Sequence, residues 1–362
     1  MIKDKTTRTA WLGAGLGAAV FGCAFAVGGA FFVLSTLPPR APTATPFDEI
    51  PISPTAASAT AIASSVASPV ALPTLANAAP AATTTGVPLA HLPDPPRGQI
   101  IFTCYDAQKR NDELCLINAD GSGLVRLTQN SVGDFYGSIS PDGQTILFAR
   151  QISGANYEIF RMTTDGSNVV QLTQTGAENY APEFSPDSQR IAFTSTQGGQ
   201  GQQIWVMDPA GQNAVQLTRQ GENIDPTWSR DGQFIAYASN QSGSRQLWVM
   251  GADGANPRQV TDWPDMGGRS SFSADGRLLT FYAGPRGKRN VYVIGVDGAN
   301  LSQLTTEGDN LGPSFSPDGQ WITFGGFREG GNNEIYLIRP DGRDLIQLTQ
   351  NPASEYQPRW GP

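Results

Sequence analysis

A repeat of about 44 residues runs from Gly98 to Pro362 and limits the fold more than any other feature of the sequence. Each copy closes on a Leu-Thr or Val-Thr pair, and successive threonines are 45, 45, 43, 44 and 44 residues apart. A large apolar residue before a tight turn recurs in step with them. The two sets are Thr128, Thr173, Thr218, Thr261, Thr305 and Thr349, and Ile139, Phe184, Trp228, Phe272, Phe315 and Trp360. Periods of 40–45 residues with strand patterning are typical of β-propeller blades.

Each copy divides into four short strands. The first is typified by Ala181–Ser185, and a tight turn such as "SPDG" at Ser140 and Ser316 follows it, because Pro presets φ and Gly accepts the left-handed conformation. The second strand is typified by Arg190–Ser195 and the outer strand by Ala214–Thr218. The third strand carries an aromatic residue at a fixed place: Phe160, Trp205, Trp248, Tyr292 and Tyr336.

The two ends of the repeat region complement each other. The final "YQPRWGP" supplies only the first strand of a blade, and "GQIIFTCYD" near Gly98 supplies only the second strand onward. Joined, they make one complete blade and remove the exposed sheet edges that a row of strands would leave. The sequence predicts an all-β, six-bladed β-propeller over residues 98–362, closed by pairing of N- and C-terminal strands in one blade.

The repeat resembles the TolB-type β-propeller family with its WD-like repeats. The resemblance rests on "FSPDG", the "RIAFTS"-type second strand, the "IW" or "IY" third strand and the closing "LT", and it covers residues 98–362. It implies a propeller that engages a partner outside the cytoplasm. The N-terminal domain that accompanies the TolB propeller is expected to be absent, because residues 1–97 have a different character.

The N-terminal region predicts a membrane anchor. Residues 11–37 carry no charge and exceed the roughly 20 residues that span a bilayer as a helix. Lys3, Lys5 and Arg8 precede this stretch, so residues 1–10 are expected to stay in the cytoplasm. A cleaved signal peptide and a lipoprotein modified at Cys23 are the alternatives. An uncleaved single-pass anchor is favoured, because the apolar run is long and continues past Cys23.

Residues 38–97 are rich in Pro, Ala, Thr and Ser and predict a disordered linker, because such a segment buries too little apolar surface to offset its ordering entropy. With the anchor, this linker would hold the propeller outside the cytoplasm. The predicted localisation is the cell membrane, with the N-terminus cytoplasmic and the propeller extracytoplasmic.

Composition excludes several classes of function. The net charge is −8, and a nucleic-acid binder usually has an excess of Lys and Arg, so nucleic acid is not expected as a partner. The only histidine is His91, in the linker, whereas catalytic triads and most zinc sites need an imidazole. We therefore expect no enzymatic activity, no cofactor and no metal.

Two cysteines stand in the blade shared by the chain ends. Cys115 takes the place that the other five copies give to an aromatic residue, and Cys104 lies on the neighbouring strand. Outside the cytoplasm a cross-strand disulfide between them is favoured. Two buried thiols are the alternative, because free Cys packs as a small hydrophobe.

Acidic and aromatic residues recur in the loops that join blades. These loops share one face of a propeller with the loops between second and third strands, and we call that face the mouth. The candidate binding residues there are Asp134, Glu178, Glu222, Asp265, Asp309, Glu355, Tyr136, Tyr180, Trp263 and Tyr356. Ring symmetry would place the carboxylates around the channel and concentrate negative potential. Acids that cap turns or pair with a neighbouring Arg would repeat in the same way.

Three functions remain open from the sequence. The favoured one is a membrane-tethered, non-enzymatic scaffold that binds an extracytoplasmic protein or a small ligand of unknown identity at the mouth. The others are a calcium-dependent lactonase or hydrolase-type propeller enzyme and a purely structural envelope spacer. The Asp-Gly turn at Asn118–Gly123 has oxygen atoms at alternate positions, but it lacks the distant bidentate Glu of a calcium loop, so a plain hairpin turn is favoured.

Overall fold

The computed structural model describes residues 92, 94–106, 108, 110–263, 266–328 and 331–362. They form six four-stranded antiparallel sheets, as the repeat predicts. The predicted anchor at residues 11–37, and the linker apart from Leu92 and residues 94–97, lie outside the described part. Within that part, no helix is long and apolar enough to cross a membrane.

Blades 1 to 3 are given from their innermost to their outermost strand. Blade 1 contains β24 (Glu355–Trp360), β1 (Gln99–Asp106), β2 (Asn111–Asn118) and β3 (Val125–Arg126). Blade 2 contains β4 (Asp134–Ile139), β5 (Thr145–Ser153), β6 (Asn156–Thr163) and β7 (Val170–Gln171). Blade 3 contains β8 (Asn179–Phe184), β9 (Ile191–Ser195), β10 (Gln203–Met207) and β11 (Val215–Gln216).

Blades 4 to 6 follow the same order. Blade 4 contains β12 (Asn223–Trp228), β13 (Phe234–Ser239), β14 (Gln246–Gly251) and β15 (Arg258–Gln259). Blade 5 contains β16 (Ser271–Phe272), β17 (Leu278–Ala283), β18 (Asn290–Gly295) and β19 (Ser302–Gln303). Blade 6 contains β20 (Asp309–Phe315), β21 (Ile322–Phe327), β22 (Asn333–Ile338) and β23 (Ile346–Gln347).

The sheets close into a ring. The innermost strand of each blade contacts the innermost strands of both neighbours, and β24 contacts β20 on one side and β4 on the other. Blade 1 joins the chain ends as predicted: Ile100 pairs with Trp360, and the Gly361 N–H donates to the Gln99 carbonyl at 2.8 Å. The predicted closure by one shared blade is therefore confirmed.

Most innermost strands carry a bulge that faces the ring axis. The register shifts near the middle of β4, β8, β12, β20 and β24, and positive φ angles of 55°, 50°, 55°, 57° and 55° mark the place. The residues are Tyr136, Ala181, Asp225, Gly312 and Gln357. In four of the five the next residue is Pro, which costs no ladder hydrogen bond because the strand is an edge strand at a bulge.

The "SPDG" motif is a self-contained turn. In blade 2, Ser140 Oγ donates to Asp142 Oδ1 at 2.5 Å and accepts the Thr145 N–H at 2.9 Å. The Ser140 hydroxyl, followed by the Gln144 N–H, lowers the pKa of the Asp142 carboxyl. The same contacts recur at Ser316 in blade 6. The repeated motif thus specifies a hairpin turn.

The closing threonine of each repeat ties three strands together. Thr218 Oγ1 accepts the Ile204 N–H at 2.9 Å and donates to Gln203 Oε1 at 2.8 Å. Gln203 Oε1 also accepts from the amide of Asn223, the first residue of the next blade, at 2.9 Å. The N–H to threonine bond recurs at Thr128, Thr173, Thr261, Thr305 and Thr349. We call this arrangement the threonine latch.

Thr305→Val should lower the free energy of unfolding by about 1–3 kcal/mol, because it leaves the buried Val291 N–H and the Asn290 and Asn310 side chains without the Oγ1 atom. Urea denaturation of the full chain measures the loss. Thr306→Val is the matched control, since Thr306 is exposed and next in the chain. Equal effects of the two changes would contradict the latch.

A disulfide joins Cys104 to Cys115 within blade 1. Cys115 is opposite Phe102 in the register that pairs Phe148 with Phe160 in blade 2, so it does occupy the aromatic position. The Cα atoms of the two cysteines are 5.9 Å apart, within the range that a disulfide needs. Both are buried in a cluster with Trp321 of blade 6. The bridge therefore lies within the ring's closing blade, on the side that packs against blade 6.

Reduction should destabilise the propeller by about 2–3 kcal/mol, the entropy expected for a loop of this size, since the two cysteines are 11 residues apart. Thermal unfolding with and without dithiothreitol measures the effect. The double variant Cys104→Ser and Cys115→Ser should match the reduced protein and be insensitive to dithiothreitol. If dithiothreitol still lowers the unfolding temperature of the double variant, the destabilisation does not come from this disulfide.

Candidate functional site

Two of the predicted mouth acids are held in ion pairs, Asp134 within blade 2 and Asp309 with an arginine of the neighbouring blade 5. Asp134 is fully buried and accepts two hydrogen bonds from Arg150, at 2.7 and 2.9 Å. Asp309 accepts from Arg289 Nε at 2.8 Å. Burial opposes ionisation of Asp309, but the bonds from Arg289 outweigh it and lower the pKa of this carboxyl. The first pair joins the innermost and second strands of blade 2, and the second pair joins the innermost strand of blade 6 to the β17–β18 loop of blade 5.

Glu355 is buried and forms no ion pair with a described residue. It takes the position of Asn179 and Asn223 in the threonine latch and accepts a hydrogen bond from Asn351 at 2.5 Å, while its Oε2 atom has no partner. Burial raises the pKa of Glu355 from its usual 4.5 to about 7, against the hydrogen bonds of Thr349 and Asn351 and with the help of nearby Glu334. At neutral pH this latch carries an unfavourable charge.

Glu355→Gln should therefore stabilise the protein at high pH. Below pH 4.5 the carboxyl is protonated in both the folded and the unfolded state and has no effect. As the pH rises from 4.5 to about 7 the unfolded chain ionises first, so the wild-type free energy of unfolding falls, by up to about 3 kcal/mol. The Glu355→Gln variant has no carboxyl to ionise at this position, so its free energy of unfolding does not fall in this way.

Urea denaturation at pH 5 and pH 8 tests the assignment. The gain from Glu355→Gln should be larger at pH 8 than at pH 5. Glu307→Gln, at an exposed position, is the control and should show no such difference. A gain that does not depend on pH would show that Glu355 is ionised at both values.

Glu178 and Glu222 form a half-buried pair of carboxylates at the mouth. The Gln202 N–H donates to Glu222 Oε2 at 2.6 Å, and the Gln202 side chain bonds Glu178. Burial raises the pKa of Glu178, the bond from Gln202 opposes the rise, and the charge of Glu222 adds to it. Neither carboxylate forms an ion pair with a described residue. Together they offer unpaired negative charge to a ligand.

Three of the predicted tyrosines meet at the same end of the channel. The rings of Tyr136 and Tyr180 have centroids 5.3 Å apart, and the Tyr356 hydroxyl donates to Asp112. Burial raises the pKa of Asp112 to about 6; the bond from Tyr356 opposes the rise and Glu113 adds to it. Sequence reasoning missed Asp112, because it lies on β2 and does not recur in the other blades.

Trp263 does not join the tyrosines. Its ring packs on Tyr292 of blade 5 with centroids 5.1 Å apart, and its carbonyl accepts from Gln246 at 2.6 Å. Asp265 lies outside the described residues. The mouth site that the structure assembles therefore consists of Glu178, Glu222, Gln202, Asp112 and the three tyrosines.

Two arginines that sequence reasoning missed cross the channel. Arg269 of blade 5 donates to the Gln357 carbonyl of blade 1 at 3.1 Å, and its guanidinium lies 5.3 Å from the Tyr136 ring centre in blade 2. Arg359 of blade 1 donates to the Ser270 carbonyl at 2.9 Å and contacts Glu183 of blade 3 at 2.7 Å. Burial, and then the charge of Arg359, lower the pKa of Arg269 to about 10.

Alignment of the repeats gives the signal that marks these arginines. Arg269 shares a repeat position with Tyr136, Ala181, Asp225, Gly312 and Gln357, and no two copies carry the same residue there. The variable position lies at the axis, where residues from all six blades meet. Six identical side chains need not fit there, so the residue differs from blade to blade.

The family assignment rests on both sequence and structure. The TolB beta propeller domain family matches residues 177–362, which is more than half of the chain. The chain belongs to the TolB β-propeller family. The match covers blades 3 to 6 and the closing strand of blade 1, and the described blades 1 and 2 repeat the same strand pattern.

Solved structures with the same fold include TolB proteins. The chain is similar to TolB from Acinetobacter baumannii, with 22% identity over 73% of this chain and 67% of that chain and a TM-score of 0.64. It is also similar to a putative TolB from Agrobacterium tumefaciens, with 16% identity, coverage of 74% and 99%, and a TM-score of 0.57.

The fold also occurs in an enzyme complex. Hydrazine synthase from Kuenenia stuttgartiensis is 16% identical over 73% of this chain and 46% of that chain, with a TM-score of 0.59. No curated protein sequence matches this chain. Identities at this level show the fold alone, so the TolB-type ring does not decide what is bound.

The Asp-Gly turns of this TolB-type propeller use their oxygen atoms internally. At Asn118–Gly123, Asp120 Oδ1 accepts the N–H of Ser122 at 2.9 Å and its hydroxyl at 2.6 Å. Among the described residues, no group of three or more His, Cys, Asp or Glu side chains is placed to hold a metal ion. The turn at Asn118–Gly123 is thus a hairpin turn, in which Ser122 donates two hydrogen bonds to Asp120 Oδ1.

Proposed function

We propose that this TolB-type propeller is a non-enzymatic binding scaffold that is tethered outside the cytoplasm and takes a basic segment of a protein partner at its mouth. The anchor and linker predicted over residues 11–97 support the tether. The Cys104–Cys115 disulfide supports an oxidising compartment, because disulfides persist there and are rare in the cytosol.

The observation that carries the proposal is the pairing of unneutralised acids with aromatic rings. Glu178 and Glu222 are half-buried, bridged by Gln202 and without an ion-pair partner among the described residues, and Tyr136 is half-buried at the same end of the channel. Aromatic side chains supply contact area at interfaces, and desolvated charges select a partner of opposite sign. A Lys or Arg side chain inserted between the two carboxylates would satisfy both.

The alternatives find less support in the geometry. A hydrolase needs acidic groups that converge on one accessible point, whereas Asp134, Asp309 and Glu355 lie in three different blades and are buried. The ion pairs of Asp134 and Asp309 agree with a structural role for those two acids. They do not account for Glu178 and Glu222, which stabilise no described cation.

The test is a pull-down from an envelope extract with the full chain as bait. The double variant Glu178→Gln and Glu222→Gln should lose the partner, at least about tenfold, because each removes a desolvated charge but keeps the shape of the side chain. Retained capture by the variant would rule out recognition at this acid pair.

The matched control is Asp253→Asn with Asp297→Asn. These exposed acids lie in turns on the opposite face, and each accepts a backbone N–H that Asn also accepts. The control changes the net charge equally and should capture the partner as the wild type does. Loss in both variants would indicate that long-range charge, and not the mouth, governs capture.

A further inference from the structure

A second polar layer lies two residues beyond the repeat position shared by Tyr136, Ala181, Asp225, Arg269, Gly312 and Gln357. It consists of Ser138, Glu183, Thr227, Ser271, Ser314 and Arg359, one from each blade. Its side chains bond neighbouring blades: Ser314 Oγ accepts the Trp360 N–H at 3.1 Å and Ser271 Oγ accepts the Phe315 N–H at 3.2 Å. This layer is at the turn end of the channel, opposite the mouth.

The layer forms the wall of a cavity of about 70 Å³, which we call the axial cavity. Arg230, at the start of the blade 4 turn, also lines it, and aromatic residues complete its wall. Those aromatic residues are Phe184, Trp228, Phe272, Phe315 and Trp360. A cavity of this size has room for several waters or for one carboxylate on a short apolar stem.

The single acid of the axial cavity is already fully engaged. Glu183 Oε1 accepts from Thr227 Oγ1 at 3.0 Å and from the Trp228 N–H at 3.1 Å. Glu183 Oε2 contacts Arg359 at 2.7 Å. The side chains that line the cavity therefore carry two positive charges and one negative charge, and the negative one is paired with Arg359.

Donors remain without acceptors. Arg359 is 7% exposed, and its Nε atom has no hydrogen-bond partner. Arg230 is exposed at the rim and forms no hydrogen bond or ion pair with a described residue. An unpaired buried guanidinium nitrogen is costly, and such groups in native proteins are usually satisfied by water or by a ligand.

We propose that the axial cavity binds a carboxylate group, held by Arg230 at the rim and by Arg359 within, with its apolar stem against Trp228 and Trp360. Guanidinium groups recognise carboxylates through paired, charge-assisted hydrogen bonds. The carboxylate comes from a free small acid or from the C-terminus of a peptide. This site is independent of the mouth, because Arg269 and Arg359 cross the channel between the two ends.

The test follows the indole N–H signals of Trp228 and Trp360 by NMR in the full chain. Three probes are titrated: propionate, a short peptide with a free C-terminal carboxylate, and the same peptide amidated, with sodium chloride at equal ionic strength as reference. Propionate or the free-acid peptide should shift both signals saturably. Trp248 lies on the third strand of blade 4, away from the cavity, and its signal should stay.

Arg230→Gln should weaken binding about tenfold, because it removes one charged hydrogen-bond donor. Arg258→Gln, an exposed change on the outer strand of blade 4, is the matched control and should bind as the wild type does. Since Arg230 forms no hydrogen bond or ion pair with a described residue, its variant is expected to unfold at the wild-type temperature.

The outcomes distinguish a free small acid from a peptide C-terminus as the source of the carboxylate. Saturation by propionate assigns a free acid, and saturation by the free-acid peptide alone assigns a peptide terminus. The proposal fails if neither probe shifts the Trp228 and Trp360 signals more than sodium chloride does. That result would mean that the cavity holds only water. It also fails if the amidated peptide acts equally, or if Arg230→Gln binds as tightly as wild type.

Discussion

The antiparallel pairing of β24 with β1 is the constraint on which the rest of the structure depends. It brings residues from the two ends of the repeat region into one sheet, and it places β24 between β20 and β4 around the axis. Without this pairing there would be no closed channel, no mouth and no axial cavity. The Cys104–Cys115 bridge lies in the same blade, where it links the second and third strands and packs against blade 6.

Ring closure gives each blade two different environments. Between blades the side chains are apolar and repeat faithfully, because every interface must fill the same space. At the axis six strands meet, and the residues that they contribute vary: all six differ in the first layer, and Ser, Glu, Thr and Arg occur in the second. Arg269 and Arg359 use this freedom: each contacts more than one distant blade, and together they divide the channel into two ends with opposite character.

The acids of the repeat fall into two physical classes. Asp134, Asp309 and Glu355 are buried, and they bond groups of the fold, two of them through an arginine. Glu178 and Glu222 are half-buried, and their carboxylates bond Gln202, while their backbone N–H groups donate to Thr196 Oγ1 and Asn240 Oδ1. The first class holds strands together, whereas the second retains negative charge. Repeat position does not separate the classes, because Asp309 shares the position of Glu178 and Glu222.

The sequence by itself determined the six blades, their strands, their turns and the closing blade, because each depends on local patterns that repeat with a fixed period. It also brought Cys104 and Cys115 together and named three of the tyrosines that meet at the mouth. Three features are visible only in the tertiary structure. They are the ion pairs that neutralise Asp134 and Asp309, the contact of Asp112 with Tyr356, and the two arginines that cross the channel. Arg269 and Arg359 contact residues of other blades, whereas Asp112 and Tyr356 meet within blade 1. A period of 44 residues indicates which blade a residue belongs to but not which side chain it contacts.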